Sequence, residues 1–205
     1  MADSNIEWVV LTKAPIAGLV KTRLIPALGE QGACDIYIQL LNRLETTLRH
    51  FIATHGGSVA LWVAGDQQHE VFDSWSCFAT FYAQPDQGNL GERMAISVKS
   101  ALSRERTPIL IGVDVPDLNE AYLTDCVQQL HNHDLVISPA EDGGYGLLGM
   151  KAFYTELFED KAWGTDSVFS STQLDIEGLG LSAGVLPTVW DVDEPADVKR
   201  WLKSV

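Results

Sequence analysis

The chain has 205 residues, is 46% hydrophobic and carries a formal net charge of −14 at pH 7. This length and composition predict one domain spanning residues 1–205 with an ample buried core. The acidity argues against a nucleic-acid interface, which needs positive potential over one face. The first residues lack the basic and apolar regions of a signal peptide, and no apolar run approaches the roughly 20 residues that span a membrane. We therefore expect a cytoplasmic protein.

The first half of the sequence alternates short β-rich runs with helical stretches. Apolar residues in the segment 29–57 recur every three or four positions, which predicts a long helix that ends at Gly56 and Gly57. Short apolar runs between such stretches predict buried strands. The predicted strands are 8–12, 58–65 and 78–84, with a short helix over 69–75 and a longer one over 89–105.

The second half continues the alternation. Residues 108–114 are nearly all apolar and predict a strand that is buried on both faces. Asn119 suits the N-cap of the next helix, and Pro195 suits the first turn of the closing helix. The predicted strands are 108–114, 134–140, 145–150 and the end of 184–193, with helices over 119–133, 165–174 and 194–205. The alternation predicts an α/β fold with a mostly parallel sheet, where ligands bind at the carboxyl ends of the strands.

The loop after the first strand is the most basic part of the chain. It carries Lys13, Lys21 and Arg23, three of only fourteen basic residues. Gly18 permits unusual backbone torsions and a close approach of a ligand. Backbone N–H groups with the Lys21 and Arg23 side chains suit a di- or triphosphate, although the spacing is not that of a Walker A loop. A solvated basic turn is the alternative, and the contrast with the acidic chain favours phosphate binding.

A polar loop follows the third predicted strand. Gln84, Gln87 and Asn89 offer neutral donors and acceptors that suit the edge of a base or a sugar. A loop that caps the next helix explains these residues equally well, so both interpretations stand. The residues predicted to bind a nucleotide are Lys13, Gly18, Lys21, Arg23, Gln87, Gly88, Asn89 and Gly91.

Acidic residues stand at the ends of two further predicted strands. Asp114 ends the fourth strand, where a carboxylate suits Mg²⁺, which takes one or two carboxylates and completes its shell with water and substrate phosphates. A turn with a helix cap is the alternative there. Asp191 and Asp193 end the last strand, and their alternation places them on opposite faces. Only one of the two is therefore expected to share a metal with Asp114.

The turn after the fifth strand is the last candidate. Asp142 and Gly143 form an Asp-Gly pair, a strong hairpin signal, so a plain turn is one interpretation. At the same sheet edge as Asp114, the turn becomes a candidate for acceptor binding, with Asp142 as general base. The cluster at 163–166 suits a lid or an acceptor wall. The predicted acceptor-binding residues are Glu141, Gly143, Gly144, Trp163 and Asp166.

Six motifs occur in the order KAPIAGLVKTRLIPALG, QGNLGERM, IGVDVPDL, SPAEDGGYGLLG, WGTDSV and DVDEPADV. Together they resemble the bacterial glycosyltransferase-like family, also described as radical-SAM/selenodomain-associated transferases, within the nucleotide-diphospho-sugar transferase superfamily. The resemblance runs from Trp8 to about Leu202. It implies the GT-A fold, a Rossmann-like mixed, mostly parallel sheet flanked by helices.

Phospholactate guanylyltransferases and molybdenum-cofactor nucleotidyltransferases are more distantly similar. That similarity implies Lys21 and Arg23 on nucleotide phosphates and a metal on Asp114, with Asp193, or else Asp191, as the second ligand. The relatives often have a glycine-rich first loop, whereas Pro15 and Ala17 stiffen the loop of this chain.

The resemblance implies an enzyme that uses Mg²⁺ or Mn²⁺ and acts on a nucleotide substrate and an unknown acceptor. Glycosyl transfer from a nucleotide-diphospho-sugar is the first expectation, with Asp142 as base. In the alternative, nucleotidyl transfer, a substrate phosphate attacks the α-phosphate while Lys21 and Arg23 stabilise the charge on pyrophosphate. A third hypothesis is a non-catalytic nucleotide- or sugar-binding module. A homodimer is expected if exposed Trp and Phe side chains cluster.

Overall fold

A seven-stranded sheet forms the middle layer of the computed structural model, which describes residues 5–203. Its order is β3-β2-β1-β4-β6-β5-β7. Only β6 runs antiparallel to its neighbours within the described residues, so the sheet is mixed and mostly parallel, as predicted. The strands are β1 (Ile6–Lys13), β2 (Ser58–Ala64), β3 (Ala79–Ala83), β4 (Thr107–Ile111), β5 (Leu135–Pro139), β6 (Tyr145–Met150) and β7 (Ala183–Val185).

Helices connect the strands at most of the predicted places. They are α1 (Ile25–His55), α2 (Leu90–Ser103), α3 (Glu120–Asn132), α4 (Val168–Gly178) and α5 (Pro195–Trp201). Within α1 the backbone breaks at Gly29 (φ 73°, ψ 168°), where the helix was expected to begin. The Asn119 side chain caps α3 and Pro195 opens α5, as predicted. The predicted short helix over 69–75 is a 3₁₀ turn at Glu70–Phe72.

Alternate residues of each central strand face two separate cores. In β1, Trp8 and Val10 are buried in a core that also contains residues of α1, α3 and α5. Val9 between them is buried in the second core, with residues of α2 and α4. Since helices cover both faces of the sheet, its central strands are continuous apolar runs rather than alternating ones.

The structure corrects two strand ends beside the expected metal site. β4 ends at Ile111, so Asp114 lies in the turn that follows. The strand expected at the end of 184–193 is wrong, because β7 ends at Val185 and the pairing of Val189 with Ala140 is an isolated bridge. Pro187 has no N–H to donate and interrupts strand pairing there. The face alternation expected for Asp191 and Asp193 therefore does not apply.

The surface of the described residues gives two further observations. None of the helices in residues 5–203 has both the length and the apolar character that crossing a bilayer requires. The large apolar side chains that are exposed in this part of the chain are Ile, Leu and Val, with no Trp or Phe among them. The exposed aromatic cluster on which a homodimer was expected is thus not found there.

We expect Gly149→Ala to destabilise the sheet. A Cβ at Gly149 would lie 2.9 Å from Val136 Cγ1 and 3.0 Å from Ile109 Cγ1, inside the packed core. Overpacking of this kind costs about 1–3 kcal/mol, and urea titration should show that fall in the free energy of unfolding. Gly178→Ala in α4 is the control, because no atom other than its chain neighbours and the backbone of its own helix lies within 4 Å of its Cβ position. An equal loss in both variants would contradict the packing argument.

Candidate functional site

A cleft of about 810 Å³ opens at the carboxyl edge of the sheet. The ends of β1 and β4 border it, and because β6 is antiparallel, the turn between β5 and β6 lies at the same edge. Among residues 5–203, equal numbers of basic and acidic side chains line the cleft, so their formal charges sum to zero. The basic residues are Lys13, Lys21, Arg23 and Arg93, and the acidic residues are Asp114, Asp142, Asp191 and Asp193.

Lys21 joins the two carboxylates that the sequence assigned to a metal. Its Nζ lies 2.7 Å from Asp114 Oδ2 and 3.5 Å from Asp193 Oδ1. The Lys21 side chain is only 4% exposed. Arg23, which is largely exposed, donates to the other oxygen of Asp193. The predicted phosphate-binding cations and the predicted metal ligands therefore form one ion-pair network.

The backbone around Lys21 directs its side chain inward. Lys21 adopts a left-handed conformation (φ 47°, ψ 45°) and precedes a 3₁₀ turn at Thr22–Leu24. Val20 and Leu24 on either side are buried and fix the turn to the core. For a residue other than glycine the left-handed conformation costs about 1–2 kcal/mol, and such strain is typical of functional sites.

Asp114 lies in a turn that hydrogen bonds tie to three other parts of the chain. Its carbonyl accepts from Val192 N at 3.0 Å, which brings the segment before α5 beside it. The turn that contains it is tied to β6, where Gly146 O accepts from Gly112 N, and to α1, where Arg43 donates to Pro116 O. Asp114 is thus fixed on the floor of the cleft.

The donor set of Asp114 and Asp193 fits a divalent cation. Asp114 Oδ1 is buried and has no hydrogen-bond partner, so one hard oxygen ligand is free. Among residues 5–203, no three Asp, Glu, His or Cys side chains converge as they would in a site built from protein ligands alone. Mg²⁺ commonly takes one or two carboxylates and leaves its other positions to water and phosphate.

Asp191 and Asp142 add negative charge to the same cleft. Burial and the nearby carboxylate of Asp142 raise the pKa of Asp191 to about 6, and Asp193 contributes in the same direction. Asp142 Oδ1 accepts a hydrogen bond from Gly144 N at 2.9 Å, which fixes the turn between β5 and β6. Both members of the Asp191–Asp193 pair line the cleft, contrary to the opposite faces expected from strand alternation.

Arg93 on α2 also lines the cleft, although it was not among the residues predicted from the sequence. Gln84 holds it: the Gln84 Nε2 donates to the carbonyls of Thr12 and Trp62, both at 2.8 Å, which turns Oε1 toward Arg93 Nη1. Arg93 Nε is buried without a partner. The signal was present in the motif QGNLGERM, but one arginine on an amphipathic helix resembles a solvated face.

Some residues of the polar loop before α2 line the cleft, and others cap the helix. Asn89 Oδ1 accepts from Glu92 N while Glu92 accepts from Asn89 N, so Asn89 is occupied in a capping box. Gly88 lines the cleft, whereas Gln87 and Asn89 do not. A Cβ on Gly91 would lie 2.5 Å from Trp163 Nε1, so this glycine makes room for protein rather than for a ligand. Gly18 has φ 84° as expected but faces Glu30, outside the cleft.

The predicted acceptor residues divide in the same way. Gly144 and Trp163 line the cleft, while Glu141, Gly143 and Asp166 do not. Glu141 forms a double hydrogen bond with Arg200 at 2.7 and 3.0 Å on the outer surface. A Cβ on Gly143 would lie 2.2 Å from the Asp166 carbonyl oxygen, so these two residues pack together and hold the 163–168 segment beside the cleft.

Comparison with known proteins places the chain in a family. Residues 47–165, more than half of the sequence, match the family described as "Uncharacterized protein conserved in bacteria (DUF2064)". The chain belongs to the DUF2064 family. No match was found among curated proteins.

Solved structures of other proteins share the fold. A Desulfovibrio desulfuricans protein proposed to be a nucleotide-diphospho-sugar transferase has a TM-score of 0.84 and 24% identity, over 97% of this chain and 87% of its own. Rv0371c of Mycobacterium tuberculosis, solved with manganese, has a TM-score of 0.52 and 18% identity, over 98% and 100%. The inositol-1-phosphate CTP transferase of T. maritima has a TM-score of 0.55 and 12% identity, over 98% of this chain and 96% of its own. These similarities confirm the nucleotide-diphospho-sugar transferase fold.

Replacement of Asn89 should affect stability rather than ligand binding. Loss of an N-cap side chain costs about 0.5–2 kcal/mol, so Asn89→Ala should lower the free energy of unfolding by that amount in urea. Asn89→Ser retains a capping oxygen and should lose less. Since Asn89 lies outside the cleft, titration of the serine variant with nucleotides should match the wild-type protein. A serine variant that is stable but binds nucleotides more weakly would show that Asn89 contacts the ligand.

Proposed function

We propose that this DUF2064 protein is a divalent-metal-dependent transferase that acts on a nucleotide, with residues 1–205 as one GT-A-like domain. The observation that carries the proposal is the network of Lys21, Arg23, Asp114 and Asp193 at the carboxyl edge of the sheet. It combines phosphate-binding cations with oxygen ligands for a metal in one cleft. A plain binding module has no need for a strained lysine that is buried between two carboxylates.

The charge balance of the cleft supports a requirement for a metal. Four basic and four acidic side chains line it, so a nucleotide bound alone would add its full negative charge to the carboxylates. A divalent cation offsets that charge and, when bound, withdraws electrons from the phosphate oxygens. Mg²⁺ and Mn²⁺ both accept carboxylate and phosphate oxygens. Manganese in the structure of Rv0371c agrees with this requirement.

The distribution of cations favours nucleotidyl transfer as the reaction. Lys21 and Arg23 face Asp114 and Asp193 near the end of β4, whereas Arg93 is held by Gln84 beyond the end of β3. Nucleotidyl transfer brings two anionic groups together, the nucleotide and an acceptor phosphate, and cations at two separate places in the cleft suit this task. The inositol-1-phosphate CTP transferase, which shares the fold, has a name that describes such a reaction.

In the proposed reaction an acceptor phosphate oxygen bonds to the α-phosphorus of a nucleoside triphosphate. The bond from that phosphorus to the bridging oxygen of the β-phosphate breaks, and pyrophosphate leaves. Lys21 and Arg23 bind the departing phosphates and stabilise the charge that builds up on them. Asp114 and Asp193 would hold the metal, while Gly144 and Trp163 form the opposite wall of the cleft.

Glycosyl transfer is the second candidate, and Asp142 favours it. This carboxylate lines the cleft, is exposed and is fixed by the Gly144 amide, so it could accept a proton from an acceptor hydroxyl. A nucleoside diphosphate, rather than pyrophosphate, would then leave. The same cations and metal ligands would bind it.

Metal-dependent nucleotide binding is the first test of the proposal. By calorimetry, the wild-type protein should bind a nucleoside triphosphate at least about tenfold more tightly with Mg²⁺ or Mn²⁺ than without. The reason is that the metal replaces repulsion between the phosphates and the carboxylates by attraction, and each such interaction between charges near a protein surface amounts to about 1–4 kcal/mol. Asp114→Asn keeps the side-chain shape and should abolish this gain. Glu141→Gln, outside the cleft, is the matched control and should leave it unchanged. An unaltered metal effect in Asp114→Asn would refute the assignment of Asp114.

The products distinguish the two reactions. With water as a slow substitute acceptor, ³¹P NMR should detect nucleoside monophosphate and pyrophosphate from a nucleoside triphosphate if nucleotidyl transfer is correct. A panel of nucleotide sugars is incubated in parallel. Release of nucleoside diphosphate from a nucleotide sugar, with triphosphates left intact, would instead establish glycosyl transfer. Asp114→Asn serves as the inactive reference for both incubations.

A further inference from the structure

The Lys21 ammonium lies between the two carboxylates that suit a metal. Its Nζ is 2.7 Å from Asp114 and 3.5 Å from Asp193, and the side chain is 4% exposed. The ammonium group thus takes the position that a bound metal ion would take, since its one positive charge is shared by two carboxylates from distant parts of the chain. Without it, Asp114, Asp193 and the nearby Asp191 would repel one another in a partly buried site.

We propose that Lys21 is an internal counterion that holds the metal position in the nucleotide-free protein and leaves it when nucleotide phosphates bind. The proposal rests on the proposed function and adds to it the order in which metal and nucleotide bind. The divalent cation binds poorly to the protein alone and binds well when a nucleotide draws Lys21 away. Metal and nucleotide would therefore enter together.

Sterics and charge both support this exclusion. Mg²⁺ requires ligand oxygens at about 2.0–2.1 Å in near-octahedral geometry, and the ammonium group already occupies the space in front of Asp114 Oδ2. One Asp114 oxygen, Oδ1, is free of hydrogen bonds. The protein therefore offers a metal one free carboxylate oxygen, but Lys21 occupies the position from which a metal would contact Asp114 and Asp193 together. Two cations at that spacing would also repel each other strongly.

Lys21 has what the exchange requires. Its flexible four-carbon stem and point charge suit carboxylate and phosphate equally, in contrast to the directional fork of arginine. Arg23 contacts the other oxygen of Asp193 and leaves Asp114 untouched. Asp193 thus stays partly compensated while Lys21 moves, which makes Lys21 the side chain that exchanges.

The test measures Mn²⁺ binding to nucleotide-free protein from the loss of the free Mn²⁺ signal in electron paramagnetic resonance. Lys21→Met should bind Mn²⁺ about tenfold more tightly than the wild-type protein, because removal of the ammonium leaves Asp114 without a counterion and Asp193 with Arg23 alone. Lys161→Met is the matched control. Lys161 is equally buried, with 4% exposure, and pairs with Asp175 outside the cleft, so its replacement should leave Mn²⁺ affinity unchanged.

Two more variants keep the test decisive. Lys21→Gly also removes the charge and adopts the left-handed backbone without steric cost, so it replaces the methionine variant if that one fails to fold. Lys21→Met combined with Asp114→Asn should lose the gain in affinity. Thermal unfolding adds a second readout: Lys21→Met should have a lower melting temperature than wild type without metal and recover it with Mn²⁺.

The outcomes separate this inference from the proposed function. If both Lys21 variants bind Mn²⁺ no more tightly than the wild-type protein, the counterion role is refuted, even where nucleotide binding still depends on Asp114. If wild-type protein binds Mn²⁺ tightly without a nucleotide, the inference is also overturned. If Lys21→Met gains Mn²⁺ affinity but no nucleotide binds in any condition, the counterion role stands and the proposed function fails.

Discussion

The contact of Lys21 with Asp114 and Asp193 is the interaction on which the rest of the site depends. It joins three segments that are far apart in sequence: the loop after β1, the turn after β4 and the segment before α5. Each segment is positioned by its own backbone contacts, but their carboxylates would repel without a cation between them. The buried ammonium therefore makes the acidic floor of the cleft compatible with a folded protein.

The direction of β6 decides what else reaches this floor. A parallel strand after β5 would need a crossover, whereas the antiparallel β6 follows a short turn at the carboxyl edge. That turn carries Asp142 and Gly144 to the cleft, and Gly143 fits against the Asp166 backbone so closely that no side chain is tolerated. The 163–168 segment, with Trp163, is fixed by this contact. One hairpin thus organises the wall opposite the basic loop.

Most of the fold could be predicted from the sequence because its signals are local. Burial on both faces makes β4 a continuous apolar run, and the Asn119 cap begins α3 where the hydrophobic spacing begins. The prediction of a strand near Asp191 was wrong. The apolar residues of that segment are visible in the sequence, whereas the fact that Val189 forms an isolated bridge is visible only in the structure. A glycine in the sequence indicates that another group comes close to the backbone, but only the tertiary structure shows that this group is another part of the protein, rather than a ligand, at Gly91 and Gly143. The pairing of Lys21 with Asp114 likewise lay beyond any local pattern.

If the proposed function is correct, an acidic protein binds an anionic nucleotide, and the charges of the cleft would make this possible locally. Four of the fourteen basic residues line it, and they balance the four carboxylates that line it in the described part of the chain. At physiological ionic strength the distant surface charges are largely screened, while charges in a partly buried cleft are not. The net charge of −14 would therefore matter less to a nucleotide bound in the cleft than the few groups around it. With the lysine already committed to two aspartates, an incoming phosphate gains that cation only if another positive charge replaces it on the carboxylates. Under the proposed function a divalent metal would supply that charge, so the carboxylates of the site would favour phosphate binding through the metal that they hold.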